Sequence, residues 1–155
     1  MRPTPSSVSD FLNQKHIAVF GVSRESRQPA NAIYRTLRDD GYEVVAINPQ
    51  ADTVEGNPCY HKLSQVPGPV DAAVVVTPLN TMADVVRECA AAGVNRVWLH
   101  SSFGLGKVPE AALQAGEEER VTVISHGCPL MYRDHTDPGH RCMRWAWEKI
   151  GKLPA

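Results

Sequence analysis

The sequence predicts a doubly wound α/β domain, in which a mainly parallel, five-stranded Rossmann-like sheet has helices on both faces. Short apolar runs alternate along the chain with segments whose apolar residues recur at helical spacing. The run at 70–76 is apolar nearly throughout, which is typical of a parallel strand buried on both faces. Glycine and proline residues separate the segments, and strands joined through helices are expected to form right-handed crossovers.

Five strands are predicted from the apolar runs, and they are His16–Phe20, Glu43–Ile47, 70–76, 96–100 and 120–125. Between the second and third of them, residues 50–69 contain Gly56, Pro58, Pro67 and Pro69. These glycine and proline residues predict that the segment is mostly loop.

The residue types at the helix ends predict where the first helices begin and end. A short helix ends at Asn13, with Ser7 or Ser9 as its N-cap. The helix after the first strand has Pro29 in its first turn, where the missing N–H costs no hydrogen bond. Gly41 follows that helix in the left-handed position.

The second half of the chain carries three further helices. One starts after Asn80 or Thr81 and ends at Gly93, and another covers 108–116. A C-terminal helix over 141–151 follows an irregular polar stretch. Its apolar face, formed by Met143, Trp147 and Ile150, predicts packing against the sheet, and Trp145 lies on roughly the opposite face.

The length and composition favour one ordinary globular domain over residues 1–155, with an N-terminal arm at 1–15 and a divergent segment at 126–155. The formal net charge of −1 argues against a broad nucleic-acid surface. The chain has no run of 18 apolar residues and no secretory signal, so we expect no membrane segment. The four cysteines form no C-x-x-C pair, which favours reduced thiols in a cytoplasmic protein.

The carboxyl ends of the predicted strands form the candidate ligand site, because ligands of doubly wound sheets bind there. The residues that follow the five strands are Gly21, Val22, Ser23 and Arg24; Asn48 and Pro49; Thr77 and Pro78; His100, Ser101 and Ser102; and His126, Gly127 and Cys128. Most are small, polar or proline residues, which fits a cleft with accessible backbone groups.

The loop after the first strand predicts phosphate binding. Gly21 lets the chain turn tightly, and the helix that begins near Pro29 points the positive end of its dipole at the cleft. Arg24 and Arg27 add planar donors suited to phosphate. The alternatives are a simple turn glycine and two solvated loop charges.

A dinucleotide site is disfavoured at two independent positions. Such a site needs G-x-G-x-x-G after the first strand and an acidic residue at the end of the second. Here Ser23 and Ser26 replace two glycines, and the second strand ends in Asn48. NAD and NADP are therefore poor candidates, and no P-loop motif is present.

Three segments, IAVFGVSRESRQPANAIYRTLRDDGYEVVAINP, VEGNPCYHKLSQVPGPVDAAVVVTP and AAGVNRVWLH, resemble the CoA-binding Rossmann domain family. The resemblance is to its small, single-domain, YccU-like branch, and it extends to the CoA-binding domain of the succinyl-CoA synthetase α subunit. It covers roughly 17–100 and rests on the combination of G-x-S, N-P, G-x-x-C-Y and V-W. In this family His100 takes the place of a common glutamine.

The resemblance implies that coenzyme A or an acyl-CoA lies across the strand ends. By position, Gly21, Val22 and Ser23 would contact the pyrophosphate, and Arg24 or Arg27 the 3′-phosphate. The other expected contacts are Asn48 and Pro49 on the pantetheine side, Thr77 and Pro78 beside the adenosine, and His100. The expected function is a non-catalytic binding or sensing module, with no catalytic residue and no metal ligand assigned.

The C-terminal segment leaves two alternatives open. Its histidines and cysteines, His126, Cys128, His135, His140 and Cys142, match no structural zinc pattern, but they would suit an NAD(P)- or acyl-CoA-dependent enzyme. The third hypothesis is an interaction protein that forms a homodimer, or binds another protein, through Trp145 on the last helix.

Overall fold

The computed structural model describes residues 4–100, 106–133 and 136–151. Its strands are β1 (His16–Phe20), β2 (Glu43–Ile47), β3 (Thr53–Val54), β4 (Asn57–Tyr60), β5 (Ala72–Val75), β6 (Arg96–Leu99) and β7 (Thr122–Ile124). Its α-helices are α1 (Ser6–Leu12), α2 (Pro29–Asp39), α3 (Met82–Ala91), α4 (Glu110–Glu118) and α5 (Pro138–Lys149). Short 3₁₀ turns lie at Leu63–Gln65, Leu79–Thr81 and Pro129–Tyr132.

Across the described residues, the strands form one sheet in the order β3-β4-β2-β1-β5-β6-β7, in which only the β3–β4 pair is antiparallel. The predicted doubly wound, mainly parallel fold is confirmed. The strand order reverses at β1, since β2 lies on one side of it and β5 on the other. Doubly wound sheets bind ligands at such a reversal.

The predicted number of five strands was too low, because 50–69 contains the β3–β4 hairpin. Thr53–Val54 pairs with Asn57–Pro58, and β4 extends the sheet by pairing with β2. These strands are two and four residues long and show no apolar run, so their pairing with β2 depends on the tertiary fold.

The two faces of the sheet carry separate hydrophobic clusters. Ile17 and Val19 of β1 pack with α1, α2 and α5, whereas Ala18 and Phe20 pack with α3 and α4. This alternation follows from the two-residue period of a strand. Helices therefore cover both faces of the sheet.

The predicted glycine positions after the helices are confirmed, and Thr81 is the N-cap of α3 as predicted, but the predicted N-cap of α1 was wrong. Gly41 and Gly93 both have positive φ angles after their helices, at +94° and +79°. The N-cap of α1 is Pro5, neither Ser7 nor Ser9, and no side chain caps this helix. Thr81 precedes α3 but likewise makes no side-chain cap hydrogen bond.

Helix α5 packs on the sheet through only part of its predicted face. Trp147 is buried at 4% exposure, and Met143 packs against the same cluster. Ile150 is 55% exposed, so its predicted burial was wrong, because the helix ends at Lys149 and this residue lies beyond it. Trp145 is 59% exposed, as its position on the opposite face predicted. Within the described ranges, no helix is long and apolar enough to cross a membrane.

Candidate functional site

The centre of the candidate site is the close approach of the chain after β1 to the chain after β5. Gly21 has a φ of +96°, and its N–H donates to Ile47 O at 3.0 Å. A Cβ on Gly21 would lie 2.2 Å from Val76 O. Only glycine fits here, because a side chain would force the two strand ends apart. Gly21 thus shapes the cleft but does not offer its own amide to a ligand.

Asn31 fixes the loop that follows Gly21. This residue is fully buried in the first turn of α2. Its side-chain Oδ1 accepts from Ser23 N at 2.9 Å, and its Nδ2 donates to Ser23 O at 2.7 Å. The hydroxyl of Ser23 accepts from Glu25 N at 3.0 Å, so its O–H remains able to donate.

Glu55 ties the same loop to the β3–β4 turn. Its Oε1 accepts from Asn31 Nδ2 at 2.7 Å and from Arg35 at 2.6 Å, and Arg35 also donates to Ser26 O at 2.9 Å. The Asn31 hydrogen bond lowers the pKa of Glu55 most, against an opposing effect of burial, and Arg35 adds to the lowering. The Glu55 carboxylate is therefore ionised and holds the loop in place. The backbone φ of Glu55 is +51°.

Asn48, expected to contact the ligand, braces the same loop from the end of β2. Its Nδ2 donates to Val22 O at 2.9 Å, and its Oδ1 accepts from Gln50 N at 2.9 Å. The side chain of Val22 is buried in the core. Of these two residues, Asn48 is engaged within the protein, and Val22 has only backbone atoms to offer. Pro49, next to Asn48, is exposed.

Arg24 and Arg27 are both exposed on this loop. Neither forms an ion pair with any other residue of the described ranges, whereas Arg35, in the second turn of α2, is held by Glu55. The guanidinium groups of both arginines are therefore exposed, and their binding of a phosphate stays a prediction.

The ends of β5 and β6 carry two buried polar groups. The Oγ1 of Thr77 and the Nδ1 of His100 are buried and have no hydrogen-bond partner among the described residues. His100 is 4% exposed, and its N–H donates to Val75 O at 2.9 Å. Burial, with a smaller contribution from the charge of His140, lowers the pKa of His100 to about 4. His100 is therefore neutral at pH 7. Pro78 is exposed beside Thr77.

The cysteines and histidines of the C-terminal segment do not form a metal site within the described residues, where no group of three or more His, Cys, Asp or Glu side chains could hold an ion. Burial raises the pKa of Cys128 to about 12, so its thiol stays protonated. Cys142 is exposed. Ser101, Ser102 and His135 lie outside the described residues.

The sequence did not predict the roles of Asn31, Arg35 and Glu55. These residues hold the loop in position without contacting the side of the loop that a ligand would approach. The one available signal was a polar residue, Asn31, at a buried position of an otherwise amphipathic helix. The partners of that residue could not be read from one sequence, because Glu55 is 24 residues away in a segment predicted as loop.

The strand order reverses at β1, a helix starts after this strand, and the loop between them carries two arginines. These features define the class of protein as a Rossmann-like domain whose strand ends suit a nucleotide ligand. Comparison with known families identifies the family within this class. The family of the CoA binding domain matches residues 15–134, and the chain belongs to this family.

The chain is similar to proteins of two sizes. It is 30% identical over 128 residues to the ADP-forming acetate–CoA ligase II of Archaeoglobus fulgidus. This match covers 80% of this chain and 19% of the ligase. It is 27% identical over 127 residues to the uncharacterized protein YneT of Bacillus subtilis, covering 81% of this chain and 91% of YneT. The chain spans a quarter or less of the first three acetate–CoA ligases that it matches.

A solved structure from Thermus thermophilus is also similar. It is 30% identical, has a TM-score of 0.65, and the match covers 79% of this chain and 88% of that one.

Proposed function

We propose that this chain binds coenzyme A or an acyl-CoA across the carboxyl ends of β2, β1, β5 and β6, as a binding module without turnover of its own. The observation that carries the proposal is the loop 21–28. The chain belongs to a CoA-binding family, and this loop, which α2, β2 and the β3–β4 turn hold in place, presents two exposed arginines. Phosphate groups of CoA would provide the anionic partners of these arginines.

The braces of the loop favour one orientation of the ligand. Asn48 of the β2 end and Glu55 of the β3–β4 turn both tie the loop to the β2 side of the cleft. The 3′-phosphate of CoA belongs to its adenosine half. If Arg24 and Arg27 bind this phosphate, the adenosine lies on the β2 side. The pantetheine arm then crosses Thr77 and His100, the reverse of the arrangement expected from the resemblance.

Two features of the cleft support this orientation. The β2 side has the ionised Glu55, whose Oε1 is bonded to Asn31 and Arg35, and exposed cations, which suits a charged nucleotide half. The β5–β6 side instead has the buried polar atoms Thr77 Oγ1 and His100 Nδ1. An amide-bearing pantetheine arm offers both donors and acceptors to such atoms.

Thermal unfolding in the presence of CoA, acetyl-CoA, NAD and NADP tests the proposal. A ligand at one hundred times its Kd stabilises a protein by about 2.7 kcal/mol, so CoA or acetyl-CoA should raise the melting temperature clearly. NAD and NADP should leave it unchanged. A rise with NADP and none with any CoA species would overturn the proposal.

A further inference from the structure

Helix α5 carries an exposed tryptophan that the proposed binding role does not use. Trp145 is 59% exposed, and Ile150, just beyond the helix, is 55% exposed. Across the described part of the chain, these are the only two exposed large hydrophobic side chains. The helix also lies outside the match to the CoA-binding family, which ends at residue 134. Neither core packing nor ligand binding at the strand ends therefore explains the outward face of α5.

The outward face of α5 is held in place because the opposite face is anchored in the domain. Trp147 is 4% exposed, and Met143 and Ala146 pack against the cluster to which it belongs. The guanidinium carbon of Arg144 lies 4.4 Å from the ring centroid of Tyr132. A partner would thus meet a preformed surface, which lowers the entropic cost of binding.

The charges of α5 are divided between its two sides. Its one carboxylate, on Glu148, pairs with Arg144 at 3.4 Å, and both side chains are only 11% exposed. Arg141 and Lys149 are exposed and form no ion pair with other described residues. They lie four residues before and after Trp145, so the three side chains form one stripe along the helix. This α5 stripe, Arg141–Trp145–Lys149, is basic at both ends and aromatic at its centre.

The composition of the α5 stripe argues against three kinds of occupant. In a second copy of this chain, a two-fold axis at Trp145 would set Arg141 of one copy against Lys149 of the other, which is repulsive. A lipid surface requires several apolar side chains on the outward face of a helix, and the stripe presents one. A nucleic acid would meet two cations on a chain whose formal net charge is −1.

We propose that the α5 stripe docks an acidic helix of a protein partner. Its two cations are eight residues apart, which is about 12 Å along an α-helix. A partner helix matches this spacing with carboxylates placed four residues before and after an apolar side chain, which packs on the Trp145 ring. A buried aromatic centre is typical of binding hot spots, and opposite charges at its rim fix the orientation of the partner.

A random peptide library, displayed on phage and selected against the full chain, tests the proposal. Counter-selection on Trp145→Ala removes peptides that bind elsewhere. The selected peptides should carry Asp or Glu on both sides of an apolar residue, at the spacing of one helical turn. Their affinity should fall as the salt concentration is raised, because salt screens exposed ion pairs.

Two stripe variants and a matched control measure the contribution of each part. Trp145→Ala should weaken the binding of a selected peptide about tenfold or more, as expected at a hot spot. The double variant Arg141→Glu with Lys149→Glu should abolish binding. Lys62→Glu with Lys107→Glu reverses two other exposed cations, so it makes the same change in net charge and should leave the affinity within about twofold. Melting temperatures should be unchanged throughout, since every exchanged side chain is exposed.

Sedimentation velocity and two further probes identify other occupants. A dimer that Trp145→Ala dissociates would assign the α5 stripe to a second copy of the chain. Binding of phosphatidylserine vesicles or duplex DNA that the double stripe variant removes would assign it to lipid or nucleic acid. Each of these results overturns the proposal. So does a selection that yields no peptide, or peptides that bind the double stripe variant as well as the wild type.

The docking role is independent of the proposed ligand site. The stripe variants should bind CoA with the affinity of the wild type, because none of their side chains lies among the strand-end residues. Loss of peptide binding with CoA binding intact therefore tests the stripe alone, and failure of either proposal leaves the other standing.

Discussion

The side-chain amide of Asn31 holds both backbone groups of Ser23, accepting from its N–H at 2.9 Å and donating to its carbonyl at 2.7 Å. The same Nδ2 donates to Glu55 at 2.7 Å. One buried side chain thereby joins the first turn of α2, the loop after β1 and the β3–β4 turn. Several consequences of this linkage, and of the site around it, can be measured.

Asn31→Ala should destabilise the protein by about 1–3 kcal/mol, because it leaves buried polar groups of Ser23 without partners. It should also weaken CoA binding, since the loop loses its brace. Urea unfolding and calorimetry measure the two effects. Gln114→Ala, which removes an exposed helical amide, is the control and should change stability by less than about 0.5 kcal/mol. Equal losses in both variants would contradict the role of Asn31.

Gly21→Ala should cost more stability than Gly41→Ala, although the two φ angles are nearly equal at +96° and +94°. At Gly41 nothing lies within 4 Å of a new Cβ, so only left-handed strain applies, roughly 1–2 kcal/mol. At Gly21 the Cβ also meets Val76 O at 2.2 Å. The difference in unfolding free energy isolates the close approach of the two strand ends, and equal values would refute it.

The double variant Arg24→Ala with Arg27→Ala should weaken CoA binding about tenfold or more, which corresponds to about 1.4 kcal/mol per factor of ten. Dephospho-CoA, which lacks the 3′-phosphate, should bind both proteins similarly. Arg87→Ala is the control, since Arg87 on α3 pairs with Asp84. Isothermal calorimetry at two salt concentrations measures the effect. Equal weakening for CoA and dephospho-CoA would move these arginines away from the 3′-phosphate.

His100→Gln should flatten the acid side of the stability curve. The pKa of His100 is lowered to about 4 in the folded protein, mainly by burial, and is near 6.5 when unfolded. Unfolding therefore takes up a proton between these values, and stability falls as the pH is lowered through this window. The variant removes a slope of up to about 1.4 kcal/mol per pH unit.

Urea titrations from pH 4 to 7 measure this slope. His126→Gln, at an exposed residue, is the control and should keep it. If His100→Gln has the wild-type slope, His100 is not buried in the neutral form.

Prediction from the sequence was accurate for several strands and glycines that carry their own local signal. The apolar runs at β1 and β2 were placed at their observed bounds, and β1 is buried over 17–20, as expected of a strand that is covered on both faces. Gly41 was placed correctly because a left-handed position favours glycine regardless of context.

Features that depend on distant partners were missed. The β3–β4 hairpin acquires its place by pairing with β2, and Glu55 becomes part of the site only through that hairpin. The hydrogen bonds of Asn48 with Val22 O and Gln50 N were not predicted, and its contact with a ligand stays a prediction.

The brace that Glu55 supplies also affects how a ligand is received. The loop 21–28 is held by α2, β2 and the β3–β4 turn through hydrogen bonds within the chain itself. Its conformational entropy is therefore lost when the protein folds and not when a ligand arrives. Preorganisation of this kind leaves more of the contact energy to appear as affinity. The β3–β4 hairpin therefore favours ligand binding without contacting the ligand itself.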